Sequence, residues 1–162
     1  MVFIVEKVNA ILKNHDFCRY LSRIDDMERT RKFCRHGICH LMDVARIAYI
    51  MVLEKNIKVE KQIIYAAALL HDIGRGEQYE KGTSHEIAGV KIAKDILEKC
   101  GFDEHEKRQV LDLIGSHRKS DNWDSLKKIF YKSDKISRKC FMCSVFSDCS
   151  WPEEKKNYGI EY

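Results

Sequence analysis

The amino-acid sequence predicts an all-α protein, a single-domain helical bundle, from three observations. Proline occurs once and glycine eight times in 162 residues, which is too few chain breakers for a turn-rich β fold. Apolar residues recur at helical spacing in one segment after another. Hydrophobic residues make up 44% and charged residues 33%, as in a globular domain that is long enough to bury its own core.

Seven segments carry the helical pattern. They are residues 5–12, 17–27, 40–55, 59–71, 83–97, 103–117 and 121–137. Gly74 is the expected stop of the fourth helix, and Gly101 that of the fifth, with Phe102 packing back on its last turn. Thr83 and Glu86 have the spacing of a capping box at the start of the fifth helix. Residues 151–162 are expected to be a polar tail.

Charge and hydropathy exclude several classes of protein. The apolar run at residues 2–5 is interrupted by Glu6 and Lys7, so it is too short and too charged for a signal peptide or a membrane span. We therefore expect a cytoplasmic protein without a membrane partner. The net charge of +4 suits a small anionic ligand, but the lack of a basic stripe with interleaved aromatic residues makes nucleic acid unfavoured.

Several titratable side chains lie on faces that otherwise look buried. They are His40, His85, His117 and Asp134 on four different helices, and the pair His71-Asp72 after the apolar run 66–70. A single inward histidine is usually a hydrogen-bonded core residue, but a set drawn from several helices favours a shared metal ion. Imidazole and carboxylate ligands without cysteine suit Fe, Mn, Zn, Co or Ni.

The order of these residues resembles the H…HD…D signature of the HD superfamily of metal-dependent phosphohydrolases. The strings HLMDVARIA, AALLHDIG and YKSDKISR contain His40, the His71-Asp72 pair and Asp134. The resemblance implies a helical domain of the HD type over residues 1–150. Its core would be residues 35–138, preceded by a short N-terminal helical extension and followed by a cysteine-containing segment. It also implies that these four side chains bind a divalent metal.

Two further strings, SHEIAG and LIGSHR, add His85 and His117 and resemble the H…HD…H…H…D subgroup. The resemblance implies that these histidines bind a second ion or face a substrate phosphate, with Asp72 bridging two ions. That subgroup includes hydrolases of diadenosine tetraphosphate and of cyclic dinucleotides. The GYP motif of cyclic-dinucleotide phosphodiesterases and the extra acidic motif of alarmone hydrolases are absent, so both activities are less favoured.

The predicted function is hydrolysis of a nucleotide or another small phosphate ester by a metal-activated water, as a phosphomonoesterase or phosphodiesterase. The catalytic candidates are Asp72, His71 and Arg75, and the last of these stands where the family often has lysine. Arginine can grip phosphate with two nitrogens but cannot act as a general acid. The candidate substrate-binding residues are Arg75, Arg118, Arg138 and His36. Each arginine could instead be a solvated surface residue, and His36 a polar residue at a helix start.

The cysteines suggest a second site. Cys140, Cys143 and Cys149 fall within ten residues, a spacing typical of ligands for zinc or an iron–sulfur cluster, and Cys34 is the first choice for a fourth ligand before Cys39. The alternative is a set of reduced core thiols. The competing function is therefore a non-catalytic HD module that binds a nucleotide or senses metal or redox state through these cysteines. A homodimer is compatible with either function.

Overall fold

The computed structural model describes residues 5–116 and 124–162, and within these parts the chain forms eight α-helices and no β-strand. The helices are α1 (Glu6–Lys13), α2 (His15–Met27), α3 (Ile38–Glu54), α4 (Lys61–Leu70), α5 (Arg75–Lys81), α6 (His85–Lys99), α7 (Glu104–Gly115) and α8 (Ser125–Ile136). Three short 3-10 turns follow, at Cys140–Met142, Phe146–Asp148 and Glu153–Lys155. The predicted all-α class is confirmed.

Helix α4 is the centre of the bundle. Its side chains from Ile63 onward are almost all buried, and it packs against α1, α3 and α7. Because this helix is apolar all round, it cannot lie at the surface and fixes the position of whatever follows it. Helix α8 packs on α3, and α6 packs on both α5 and α7. The chain leaves α4 at His71, so the His71-Asp72 pair begins in the core.

Two of the predicted local features differ from the structure. Helix α6 begins after Ser84 rather than Thr83 and has no side-chain cap, because the Ser84 hydroxyl bonds to Glu86 instead. A capping box does occur at α7, between Asp103 and Glu106. Helix α5 was not predicted, because its sequence RGEQYEK has no apolar periodicity. The left-handed stop at Gly101 is confirmed, with φ +77° and a buried Phe102.

Gly74 is required for a reason other than a helix stop. Its φ is −79°, which any residue can adopt, so it is not a left-handed cap. A Cβ atom at this position would instead lie 2.5 Å from the backbone nitrogen of Gly89 and collide with the carbonyl oxygen of His85. The missing side chain therefore lets the turn after α4 touch the first turns of α6, which sets the position of His85.

The chain after α8 packs against the bundle through polar contacts. The Asn157 side chain donates to the carbonyl oxygens of Lys135 and Arg138 at 2.9 and 2.7 Å, and both Asn157 and Lys156 are buried. Part of the stretch expected to be a polar tail is thus attached to the end of α8. Across the described residues, none of the helices is long and apolar enough to cross a membrane.

Replacement of Gly74 by alanine should destabilise the protein, because the new methyl group has to push α6 away from the turn after α4. We expect a loss of about 1–3 kcal/mol in the free energy of unfolding, measured by chemical denaturation. Gly159→Ala is the matched control, since a Cβ at Gly159 meets no atom within 4 Å. Equal stability of the two variants would contradict the close approach at Gly74.

Candidate metal centre

Three helix ends bring together four of the six residues predicted as metal ligands. His40 lies in the first turn of α3, His71 and Asp72 follow the last residue of α4, and Asp134 lies in the last turn of α8. One ligand atom from each of the four lies within 4.8 Å of all the others. His40, His71 and Asp72 are buried, and the Asp134 side chain is 14% exposed. The group can therefore share one ion that is reached from one side.

The two imidazole rings are held by the nitrogen that faces away from the group. His71 Nδ1 lies 2.8 Å from the carbonyl oxygen of Ala68, which can only accept, so Nδ1 carries the hydrogen. His40 Nδ1 lies 3.2 Å from Ser137 Oγ, whose own hydrogen goes to the carbonyl of Asp134. These contacts direct both Nε2 atoms toward the two carboxylates. Such support of the outer nitrogen is typical of metal-binding histidines.

The carboxylates are oriented in the same way. Asp72 Oδ1 accepts from Arg75 Nε at 2.8 Å, and Asp134 Oδ2 accepts from Lys135 Nζ at 2.8 Å. The other oxygens turn inward: Asp72 Oδ2 lies 3.1 Å from His71 Nε2, and Asp134 Oδ1 lies 3.3 Å from His40 Nε2. Asp72 Oδ2 is buried between the Nε2 atoms of His71 and His40, at 3.1 and 3.4 Å. A buried carboxylate oxygen of this kind needs a positive partner, either a protonated imidazole or a cation.

Electrostatics show that the group attracts positive charge. Burial lowers the pKa of His71, but the charge of Asp72 and the hydrogen bond of Asp134 outweigh this and raise it to about 10. Burial raises the pKa of Asp72, yet the charges of His71 and Arg75 hold it well below its usual range. The carboxylates of Asp72 and Asp134 thus keep the His71 imidazole protonated. A divalent cation would take the place of that proton, and this donor set of two imidazoles and two carboxylates fits such an ion.

His85 lies beside this group without belonging to it. Its Nε2 is 3.9 Å from Asp72 Oδ1, and its Nδ1 is 4.0 Å from a Glu86 oxygen. Burial and the charge of Arg75 lower the pKa of His85, which keeps the ring neutral at pH 7. Asp72 Oδ1, the oxygen that would face a second ion, is already held by the Arg75 guanidinium. His117, the sixth predicted ligand, lies outside the described residues.

The three arginines predicted to bind substrate differ in their positions relative to the metal group. Arg75 is at the site, with its side chain 19% exposed and its Nε on Asp72. Arg138 is buried and turned inward: its Nη2 lies 3.1 Å from His40 Nε2, and its Nη1 donates to the carbonyl of Arg35. The structure thus gives Arg138 a contact with a metal ligand in place of an outward phosphate clamp, and a cation on His40 Nε2 would have to displace it. Arg118 lies outside the described residues.

His36 belongs to a buried network that sequence patterns did not reveal. Glu28, 1% exposed, accepts from His36 Nδ1 at 2.5 Å, from the His36 backbone at 2.7 Å and from Tyr79 Oη. The His36 ring packs edge-on against the His40 ring at 5.7 Å. Glu28 and Tyr79 are far apart in the sequence and carry no motif, so only tertiary packing brings them together. His36 therefore supports a ligand from behind rather than facing a substrate.

The four candidate thiols lie in another part of the protein. Cys34, Cys140, Cys143 and Cys149 line one cavity of about 350 Å³ next to the end of α8, whereas Cys39 is exposed and is not part of its lining. Among the described residues, these sulfur atoms do not form a second compact group of ligand atoms. Neither a zinc ion nor an iron–sulfur cluster therefore finds a preformed site there.

The fold and this site define a class: an all-α domain in which histidine and aspartate side chains from three helix ends can hold a divalent cation. The model of the HD domain family matches residues 37–139, which include all four side chains of the group. The chain therefore belongs to the HD-domain family, whose members bind divalent metals. The resemblance suggested by the sequence is confirmed.

Comparison with other proteins finds similarity along nearly the whole chain. It is 42% identical over 160 residues to an uncharacterized protein of Clostridium beijerinckii, covering 98% of this chain and 100% of the relative. The crystal structure of a predicted HD superfamily hydrolase from an uncultured Thermotogales bacterium is similar with a TM-score of 0.64. The two are 25% identical, and the match covers 87% of this chain and 79% of the other.

A more distant similarity is to ribonuclease Y. The protein of that name from Mycoplasma mycoides subsp. mycoides SC is 27% identical over 116 residues, which are 62% of this chain. The match covers 22% of the ribonuclease, so the chain spans about a fifth of the length of that relative. The similarity is therefore to the HD part of a much longer protein.

The network of Glu28 and His36 predicts a specific loss of stability in acid. Burial lowers the pKa of His36 from 6.5 to about 4, although Glu28 opposes it, so the folded protein resists a proton that the unfolded chain accepts. The free energy of unfolding should fall as the pH drops from 6.5 to 4, by up to about 1 kcal/mol per pH unit. His36→Asn keeps a donor for Glu28 but does not titrate, so its melting temperature should change less over this range.

His15→Asn serves as the control for this measurement, because the His15 side chain is 90% exposed. Its melting temperature should follow that of the wild type from pH 6.5 to pH 4. If His36→Asn shows the same slope as the wild type, the neutral buried imidazole is not the source of the acid sensitivity.

Proposed function

We propose that this protein is a metal-dependent phosphohydrolase that acts on a nucleotide or another small phosphate ester. The observation that carries the proposal is the group of His40, His71, Asp72 and Asp134, with ligand atoms within 4.8 Å of one another. A divalent cation in this group would polarise a phosphoryl oxygen and lower the pKa of a water molecule. The net charge of +4 is consistent with an anionic substrate.

The proposed roles follow from the contacts of each side chain. His40 and His71 would hold the ion through their Nε2 atoms, and Asp134 would hold it through Oδ1. Asp72 would contribute Oδ2 to the ion, and its charge would orient the attacking water. Its low pKa makes it a weak base, so we assign removal of the proton to the neutral imidazole of His85, 3.9 Å from Asp72 Oδ1.

Arg75 is the residue that we propose for binding the phosphate. Its Nε is fixed on Asp72 Oδ1 at 2.8 Å, which places the planar guanidinium at the rim of the metal group. Its remaining N–H groups can pair with two oxygens of a phosphate, where they stabilise the charge that develops in the transition state. Since the same guanidinium occupies the outer oxygen of Asp72, we propose a centre with one ion rather than two.

Loss of a ligand should remove both metal and activity. We expect His71→Ala and Asp134→Ala to lose the bound divalent ion and at least about 100-fold in kcat/KM, because each variant removes one of four ligand atoms. The assay is a panel of phosphate monoesters, dinucleotides, cyclic dinucleotides and short RNA, run on protein of measured metal content. His15→Ala and Asp95→Ala, which change exposed side chains, should behave as the wild type.

The panel also separates the alternatives. Hydrolysis confined to RNA would favour a ribonuclease, for which the similarity to ribonuclease Y is the supporting observation. Metal-loaded protein that binds nucleotides but hydrolyses no member of the panel would favour a non-catalytic HD module. Protein that takes up no divalent ion under any loading condition would contradict the proposed centre itself.

Arg75 should affect catalysis without controlling metal binding. We expect Arg75→Ala to retain its bound metal but to lose about 100-fold in kcat/KM, because a fixed positive group no longer meets the phosphate. Arg75→Lys should recover part of this loss, since it keeps the charge but not the paired N–H groups. Arg19→Ala, which removes a guanidinium from a 55% exposed position, is the control. A wild-type kcat/KM in Arg75→Ala would contradict the assigned role.

A further inference from the structure

The segment after α8 has too little apolar packing to account for its fixed course. Residues 139–162 contain no α-helix, only three 3-10 turns. Cys140 is the one buried hydrophobic residue among them, and Lys156 and Asn157 are the buried polar ones. A stretch of this size without a core usually needs a covalent or metal-mediated link to hold a single conformation.

The cysteines are placed where such a link is needed. Cys140 opens the first 3-10 turn, and Cys143 follows it, with its backbone N–H donating to the Cys140 carbonyl at 3.0 Å. Cys149 follows the second 3-10 turn in the same manner. All three line the cavity that Cys34 enters from the loop before α3. Two cysteines across one tight turn, joined by two more from other parts of the chain, are a common arrangement at structural zinc sites.

The surroundings of Cys34 keep its thiol neutral when no cation is bound. Burial raises the pKa of Cys34, and the other three cysteines raise it further because their thiolates would repel one that forms at Cys34. The Arg138 guanidinium acts in the opposite direction, and Lys32, Lys139 and Lys156 also line the cavity. These positive groups would offset part of the negative charge of four thiolates once a divalent cation had displaced their protons.

We propose that Cys34, Cys140, Cys143 and Cys149 bind one zinc-type divalent cation that links residues 139–162 to the loop before α3. All four cysteines lie outside residues 37–139, so the site is separate from the part of the chain that matches the HD-domain family. Zinc is the preferred ion because four thiolates suit its tetrahedral coordination. Its role is structural, and it does not depend on the proposed hydrolase activity.

Binding requires a limited movement of the turns. The four cysteines line one cavity, but their sulfur atoms do not form a compact ligand group among the described residues, so the ion has to draw the two cysteine-bearing turns inward. The loop before α3 and the turn that precedes Cys149 already lie close together, because Lys32 Nζ pairs with Asp148 Oδ2 at 2.8 Å. The segment has few apolar contacts to lose during this movement.

The test measures zinc in the full-length protein, purified under reducing conditions. His71→Ala is the background, because it removes a ligand of the HD centre and leaves the thiols intact. We expect this variant to retain about one zinc per chain and to lose it when Cys143 and Cys149 are both replaced by serine. Cys18→Ser and Cys39→Ser, which change exposed cysteines, should leave the zinc in place.

Three further measurements keep the result independent of folding. Cobalt loaded into the His71→Ala background should show thiolate charge-transfer absorption, which Cys149→His should retain in altered form because histidine can replace a thiolate ligand. Circular dichroism will show whether the double serine variant is folded. Chelation of the zinc should then speed tryptic cleavage within residues 139–162 by about tenfold or more relative to the holoprotein.

Several results would overturn the proposal. One is equal zinc content in the double serine variant and in Cys18→Ser. Another is the absence of a thiolate–cobalt band in the loaded His71→Ala protein. If the protein contains iron and acid-labile sulfide, the cysteines bind an iron–sulfur cluster instead of zinc. If the protein is free of metal and its mass shows the loss of thiol hydrogens, the cysteines form disulfides. None of these results affects the HD centre, whose ligands and activity are measured separately.

Discussion

The buried charge of Asp72 is the constraint on which the rest of the structure depends. Its side chain is 2% exposed, and its pKa lies well below the usual range, so the protein has to surround an ion with compensating groups. The apolar helix α4 delivers the carboxylate to the core, and the ends of α3 and α8 have to meet it there. An uncompensated carboxylate at this depth would cost more than the bundle gains from most of its packing contacts.

The buried charge of Asp72 is compensated by surrounding groups that hydrogen-bond to the outward-facing atom of each ligand side chain. Arg75 takes one oxygen of Asp72, Lys135 takes one oxygen of Asp134, and the carbonyl of Ala68 takes Nδ1 of His71. The inner atoms are then directed to a common point before any ion arrives. A preformed centre binds metal with little loss of conformational freedom, because the rotamers of its ligands are already fixed.

The sequence predicted the parts of the site that depend on local pattern. Apolar periodicity indicated α3, α4 and α8, and therefore which helices carry His40, the His71-Asp72 pair and Asp134. His71 and Asp72 can approach one ion because they lie past Leu70, in the turn that follows α4. The orientation of Arg138 could not be predicted, since it depends on contacts with His40 and Arg35 about a hundred positions away.

Arg138 is also the point at which the two candidate metal sites meet. Its Nη2 faces His40 Nε2 at 3.1 Å, its Nη1 holds the carbonyl of the residue after Cys34, and Cys140 follows it by two positions. A guanidinium beside a ligand atom repels a cation unless it can withdraw. A zinc ion that fixes Cys34 and Cys140 would fix the two backbone segments that determine how far Arg138 can move. The two candidate sites thus adjoin one guanidinium while drawing on separate sets of ligands.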